Sequence, residues 1–161
     1  MRHLITLVLL AFAGAASAAP DYRTIQMQID VDKPAAQVWA KVGHYCDISQ
    51  WLGVDCKIVA GDGGIGTIRS LANGRVQEIM VGKTDLSYGY TQPVPATGFY
   101  NHYHGFMEVK PVTRTTSRIL YTLFYDVSDK ADEAAKQADI MQRRTRFEAA
   151  LQKMKQLAEQ Q

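Results

Sequence analysis

Charge of one sign is scarce in this sequence, where eighteen Lys and Arg stand against sixteen Asp and Glu over 161 residues. A protein that reads nucleic acid needs a clustered basic face, and none is present. Long hydrophobic runs are missing too. The one at the N-terminus, Leu4 to Ala13 broken only by Thr6, is about half of the roughly 20 residues that a membrane-spanning helix requires. There is no nucleophile–base signature, no phosphate-cradling glycine loop and no paired catalytic carboxylates. Glu78 and Asp126 lie in strand-like runs, and nothing in the sequence pairs them. No catalytic residue, cofactor or metal is therefore expected. Cysteine is limited to Cys46 and Cys56, ten residues apart.

What is present at the N-terminus is a leader. Arg2 and His3 precede the apolar run, and Ala16-Ser17-Ala18 follows as an A-x-A cleavage site, so cutting is expected after Ala18. A short membrane anchor is the alternative, disfavoured by the run's length. The mature chain, Ala19 to Gln161, is enough for one domain with its own core. Export makes a disulfide between the two cysteines feasible. Closing a loop of about ten residues stabilises by about 2.7 kcal/mol in the chain-entropy treatment. Two half-buried thiols are the alternative.

Ile25, Met27, Ile29 and Val31 alternate with polar residues and predict a half-buried strand over 22–31. Pro34 opens a short helix over 35–42 that Gly43 ends, and a second short helix is expected around Ile48 to Leu52. Strand-like runs follow at Asp55–Ala60, Gly66–Leu71, Arg75–Val81, Leu86–Thr91, Tyr100–Val109 and Arg118–Val127, with Asn73-Gly74 the strongest hairpin signal. From Asp132, the residues Ile140, Met141, Phe147, Leu151, Met154 and Ala158 mark one stripe of a helix of roughly 25 residues. The expected class is α+β: a curved, seven-stranded antiparallel sheet around one long C-terminal helix, with two short helices after the first strand. That helix is the only element large enough to cover the sheet, and the gap between them becomes a cavity.

Several runs in this order resemble the helix-grip, or SRPBCC, superfamily. They are Pro34-x-x-x-Val38-Trp39, Trp51, Cys56 through Gly66-Thr67-Ile68-Arg69, and Leu86-Ser87-Tyr88 with Tyr90. Pro93-Val94-Pro95, Tyr103-x-Gly105-x-Met107-x-Val109 and Phe147 through Lys155 complete the set. The superfamily includes START lipid carriers, birch-pollen-allergen proteins, aromatic polyketide cyclases and the abscisic acid receptors. The ligand-binding lysine of those receptors has no counterpart in this chain.

The resemblance implies a pocket on the concave face, lined by Tyr88, Tyr90, Tyr103 and Tyr121 and bordered by Trp51. The alternative is that the tyrosines only fill the core. Four phenols around a cavity offer apolar area with polar tips, and so suit a flat aromatic or isoprenoid ligand. Arg69 and Arg75 flank Asn73-Gly74 and are candidates for a ligand carboxylate or phenolate, although a solvated hairpin end is the simpler reading. Met141 and Arg144 are placed at the pocket mouth, with Arg144 alternatively running its stem along apolar surface. Arg143, Arg144 and Arg146 together read as a solvated face. His102 and His104 share one face and with His44 would make three zinc ligands, but surface histidines explain them more simply.

The leading functional expectation is an exported, periplasmic or secreted binder or carrier of a small hydrophobic ligand, with no stable membrane anchor. The alternatives are a polyketide cyclase or dehydratase-like enzyme, or a periplasmic accessory protein docking on a partner enzyme. The leader makes one firm prediction. N-terminal sequencing of secreted material should begin Ala-Pro-Asp-Tyr, and mature protein still starting at Met1 would remove export.

Overall fold

A computed structural model describes residues 19–160, so the leader lies outside the described residues. In chain order the elements are β1 Tyr22–Val31, α1 Ala35–Val42, α2 Ile48–Leu52, β2 Cys56–Ala60, β3 Ile68–Leu71, β4 Val76–Thr84, β5 Ser87–Thr91, β6 His104–Pro111, β7 Ser117–Asp126 and α3 Glu133–Glu159. The strands form one antiparallel sheet in the order β1-β7-β6-β5-β4-β3-β2. Every link but β1–β7 is a sequential hairpin, and α1 and α2 fill the break between β1 and β2. This is the expected helix-grip architecture.

Strand alternation decides the faces. Ile25, Met27 and Val31 of β1 and Ile119, Tyr121, Leu123 and Tyr125 of β7 all point inward and are buried. From α3 they meet Phe147, Ala150, Leu151, Met154 and Ala158. Each large apolar side chain removed from water contributes roughly 1.5–3 kcal/mol, so this seam is the principal stabilising contact. The side chain of Asp132 caps α3 by accepting from Ala135 N at 2.8 Å, an arrangement that typically contributes about 1 kcal/mol. Among the described residues no helix is long and apolar enough to cross a membrane.

Two local features differ from expectation. β6 begins at His104 rather than Tyr100, because His102 adopts a left-handed φ of 49° that breaks the strand. The hairpin at Asn73-Gly74 is longer than a two-residue turn: Leu71 pairs with Val76, leaving Ala72 to Arg75 as the loop.

At the β5–β6 pairing, Tyr90 lies opposite Gly105 and Gly89 opposite Phe106. A Cβ on Gly105 would sit 2.2 Å from the Tyr90 ring, and one on Gly89 would sit 2.8 Å from the Phe106 ring. Each glycine is thus the bed of an aromatic ring, Tyr90 on the concave face and Phe106 on the convex face.

Cys46 and Cys56 are joined by a disulfide that ties the α1–α2 region to β2. Intact mass under non-reducing, alkylating conditions should therefore show no labelled thiol. Reduction should lower the unfolding free energy by about 2–3 kcal/mol. Two labelled thiols would mean that the bridge is absent.

Candidate functional site

The concave interior is built around a charge. Arg69 on β3 and Glu78 on β4 are direct cross-strand partners, and both are buried. Arg69 Nε donates to Glu78 Oε2 at 2.8 Å. Nη2 lies 2.7 Å from the same oxygen but off the line of its N–H bonds, so it adds Coulomb attraction rather than a second hydrogen bond. Nη1 donates to the backbone carbonyl of Tyr45, in the α1–α2 connector. The guanidinium carbon sits 4.1 Å from the Tyr45 ring centre, 4.9 Å from Tyr90 and 5.6 Å from Tyr88. Cation–π attraction of this kind strengthens when water is excluded. Burial pushes the Glu78 carboxyl above its usual range, and the guanidinium offsets part of that.

Tyr88, Tyr90, Tyr103 and Tyr121 do face this interior, but they touch one another, contrary to an open pocket in which each meets only ligand. The Tyr90 and Tyr121 hydroxyls are 2.8 Å apart. Ring centres are 6.3 Å apart for Tyr88–Tyr90 and 6.4 Å for Tyr90–Tyr103, while Tyr121 packs at a tilt against Phe147 at 4.8 Å. Trp51 lies beside Tyr121 and donates from Nε1 to Val42 O at 3.3 Å, which makes it a core anchor. Burial raises the phenol pKa of all four tyrosines. They stay protonated at physiological pH and so are not poised to act as bases. The hydroxyls of Tyr45, Tyr88 and Tyr125 are buried with no hydrogen-bond partner. The first two lie on rings that border Arg69.

Space remains on either side of the ion pair. Under α3, a cavity of about 210 Å³ has walls that include Ile48, Leu71, Val76 and Phe147; Glu78, Tyr90, Gln92 and Tyr103 supply polar edges, and Arg143 and Arg146 also line it. On the opposite side, a cleft of about 600 Å³ between the α1–α2 connector and the β2–β3 loop reaches Trp39, Tyr45, Met80 and Tyr88. A third depression, about 350 Å³, lies on the convex face over Gly82 and Gly89 beside Phe106. Of the four tyrosines, only Tyr88 lines it.

Arg69 is a buried core group, not a solvated hairpin end. The cue available in the sequence is symmetry about Asn73-Gly74: Arg69 and Glu78 stand equally far from the turn, so an antiparallel hairpin pairs them. Arg75 stays at the exposed tip, where Nε donates to Ala72 O at 3.0 Å. Met141 is 58% exposed and lies away from the cavity. Arg144 points to the rim of β1, reaching Gln26 O at 3.3 Å and Glu148 at 3.4 Å.

Arg143, read as part of a solvated face, turns inward instead. Its guanidinium lies 4.4 Å from the Tyr125 ring centre and 5.3 Å from Tyr103, with Nε bonded to Asp139 at 2.8 Å. Asp126, also without a partner in the sequence, accepts from Asp21 N and Ser128 N and is structural.

His44 is exposed and pairs with Asp47. His104 sits on the convex face against Phe106 and Phe124, and His102 packs between Tyr22 and Tyr100. Among the described residues no group of three or more His, Cys, Asp or Glu is arranged to hold a metal ion.

Residues 22–159 match the family described as "Polyketide cyclase / dehydrase and lipid transport", and the chain belongs to that family, within the SRPBCC superfamily. No curated protein is similar enough in sequence to count as a match. Solved structures of the same fold include the ZhuI aromatase/cyclase of a Streptomyces species, at 16% identity and TM-score 0.66, covering 86% of this chain and 94% of that one. A truncated norcoclaurine synthase from Thalictrum flavum is similar at 18% identity and TM-score 0.65, covering 90% and 98%. The protein XoxI from Bacillus cereus is similar at 20% identity and TM-score 0.65, covering 83% and 93%.

Removing one member of the buried pair leaves the other uncompensated. Arg69→Met should cost about 3–5 kcal/mol in urea unfolding, and adding Glu78→Leu to it should recover much of that loss. A single-variant cost below about 1 kcal/mol would show that the pair is hydrated.

Proposed function

We propose that this protein is an exported binder or carrier of a small apolar or aromatic molecule, held between the sheet and α3. The observation that carries the reading is the cavity of about 210 Å³ beside the buried ion pair, with apolar walls and a few convergent polar groups. Pockets for small ligands have this composition. The volume falls below the roughly 300–1,000 Å³ common for drug-sized ligands, which favours a compact aromatic or short-chain molecule over a bulky lipid. Family membership supports ligand binding in general terms. The leader and the Cys46–Cys56 bridge support an oxidising, extracytoplasmic setting.

A cyclase or dehydratase needs a group that exchanges protons near neutral pH. Here the interior phenols are held protonated and Glu78, the carboxylate at the cavity, is paired with Arg69. That arrangement favours binding over turnover. The docking alternative has one observation behind it: Tyr22, Phe124, His104 and Phe106 form a row of rings across the convex face, with Tyr22 and Phe106 nearly half exposed.

The binding reading is tested with the neutral fluorophore N-phenylnaphthylamine and with native mass spectrometry of protein from its own host. The wild type should enhance the dye's fluorescence and copurify with a small organic molecule. At a hundredfold excess of ligand over Kd, stability should rise by about 2.7 kcal/mol. Val76→Phe, which fills the cavity from its wall, should abolish dye binding while leaving the fold intact. A wild type that binds neither dye nor native ligand removes the reading and leaves the docking role.

A further inference from the structure

We infer that Arg143 makes the mouth of the α3 cavity selective for an apolar molecule bearing one carboxylate. This deepens the binding reading above and rests on it. Arg143 is well placed for the task because it is already fixed. Asp139, one turn earlier on α3, takes Nε at 2.8 Å and Nη2 at 3.4 Å. The guanidinium carbon also sits over the Tyr125 and Tyr103 rings. Little side-chain freedom then remains to be lost on binding, and a preorganised guanidinium offers paired N–H donors that match a carboxylate.

The charge balance at the mouth points the same way. Arg143 and Arg146 line the cavity, and Asp139, which already engages Arg143, does not. Among the described residues the only acidic group lining the cavity, Glu78, is compensated by Arg69. The mouth therefore carries an unbalanced positive charge above apolar walls. Gln92 and Tyr103 add neutral hydrogen-bonding groups at the same edge. A neutral hydrocarbon would leave that charge unused. A carboxylate head at the mouth, with its apolar body against Val76 and Phe147, uses both halves of the site.

Displacement of N-phenylnaphthylamine by cinnamate and by methyl cinnamate at neutral pH separates charge from shape. The wild type should prefer the acid by about tenfold or more, as expected for a charge-assisted hydrogen bond. Arg143→Gln should bring acid and ester close to equal affinity, with the acid losing far more than the ester. Equal affinities in the wild type, or an undiminished acid preference in Arg143→Gln, overturn the proposal while dye binding leaves the cavity reading standing. A wild type that binds neither dye, cinnamate nor native ligand sinks both.

A second measurement needs no variant. The carboxyl carbon of labelled cinnamate, followed by NMR in the bound state, should titrate at a pKa at least one unit below that of free cinnamate. An unshifted value overturns the assignment even if Arg143→Gln fails to fold.

Discussion

The interior of this protein depends on keeping one guanidinium out of water. Arg69 has no exposed surface, so every charge-stabilising contact must come from the fold itself. Glu78 supplies the countercharge through the β3–β4 register, and the rings of Tyr45, Tyr88 and Tyr90 supply π-faces. The Tyr45 carbonyl supplies an acceptor only because the connector between α1 and α2 folds over the sheet at that point. The disulfide at the next residue holds that connector against β2. Sheet register, connector path and covalent tie therefore converge on one buried cation. Such a centre adds less net stability than an apolar one of the same volume, but it penalises any arrangement that leaves either charge unpaired.

The same centre shapes what the cavity offers a guest. A curved sheet under a single helix leaves space, and here much of it is taken up by phenol rings leaning on one another. The residual volume is small and sits to the side of the ion pair rather than along the whole helix. Its character is polar at discrete points and apolar between them, with each polar point being a donor or a neutralised charge. Selection in such a site comes from position and charge more than from bulk, because a buried polar group left unmatched costs more than a few lost methylene contacts.

Element order and faces were readable from the sequence because alternation and turn residues carry them: Ile25 to Val31 in β1, Pro34 before α1, Asp132 before α3. The site was less readable. Arg69 looked like a surface hairpin residue since local pattern treats arginine as solvated, whereas its burial follows from a partner nine residues on and rings contributed by other elements. On α3, Ala150 joins the buried apolar positions. Including it turns the stripe toward Arg143 and away from Met141 and Arg144. The break at His102 had no local cue, since its backbone conformation is set by packing between Tyr22 and Tyr100.

The interlocked pairs in β5 and β6 carry a consequence for sequence drift. Tyr90 occupies the volume that a side chain on Gly105 would need, and Phe106 does the same over Gly89. Neither glycine can grow while its ring stays, and losing a ring exposes a bare stretch of strand that only a larger residue opposite would fill. The four positions therefore behave as two couples. Exchange within a couple, ring for glycine and glycine for ring, preserves the packing, while a change at one member alone does not. Among homologous chains these columns should covary pairwise across the β5–β6 ladder, one couple tracking the interior and the other the outer surface.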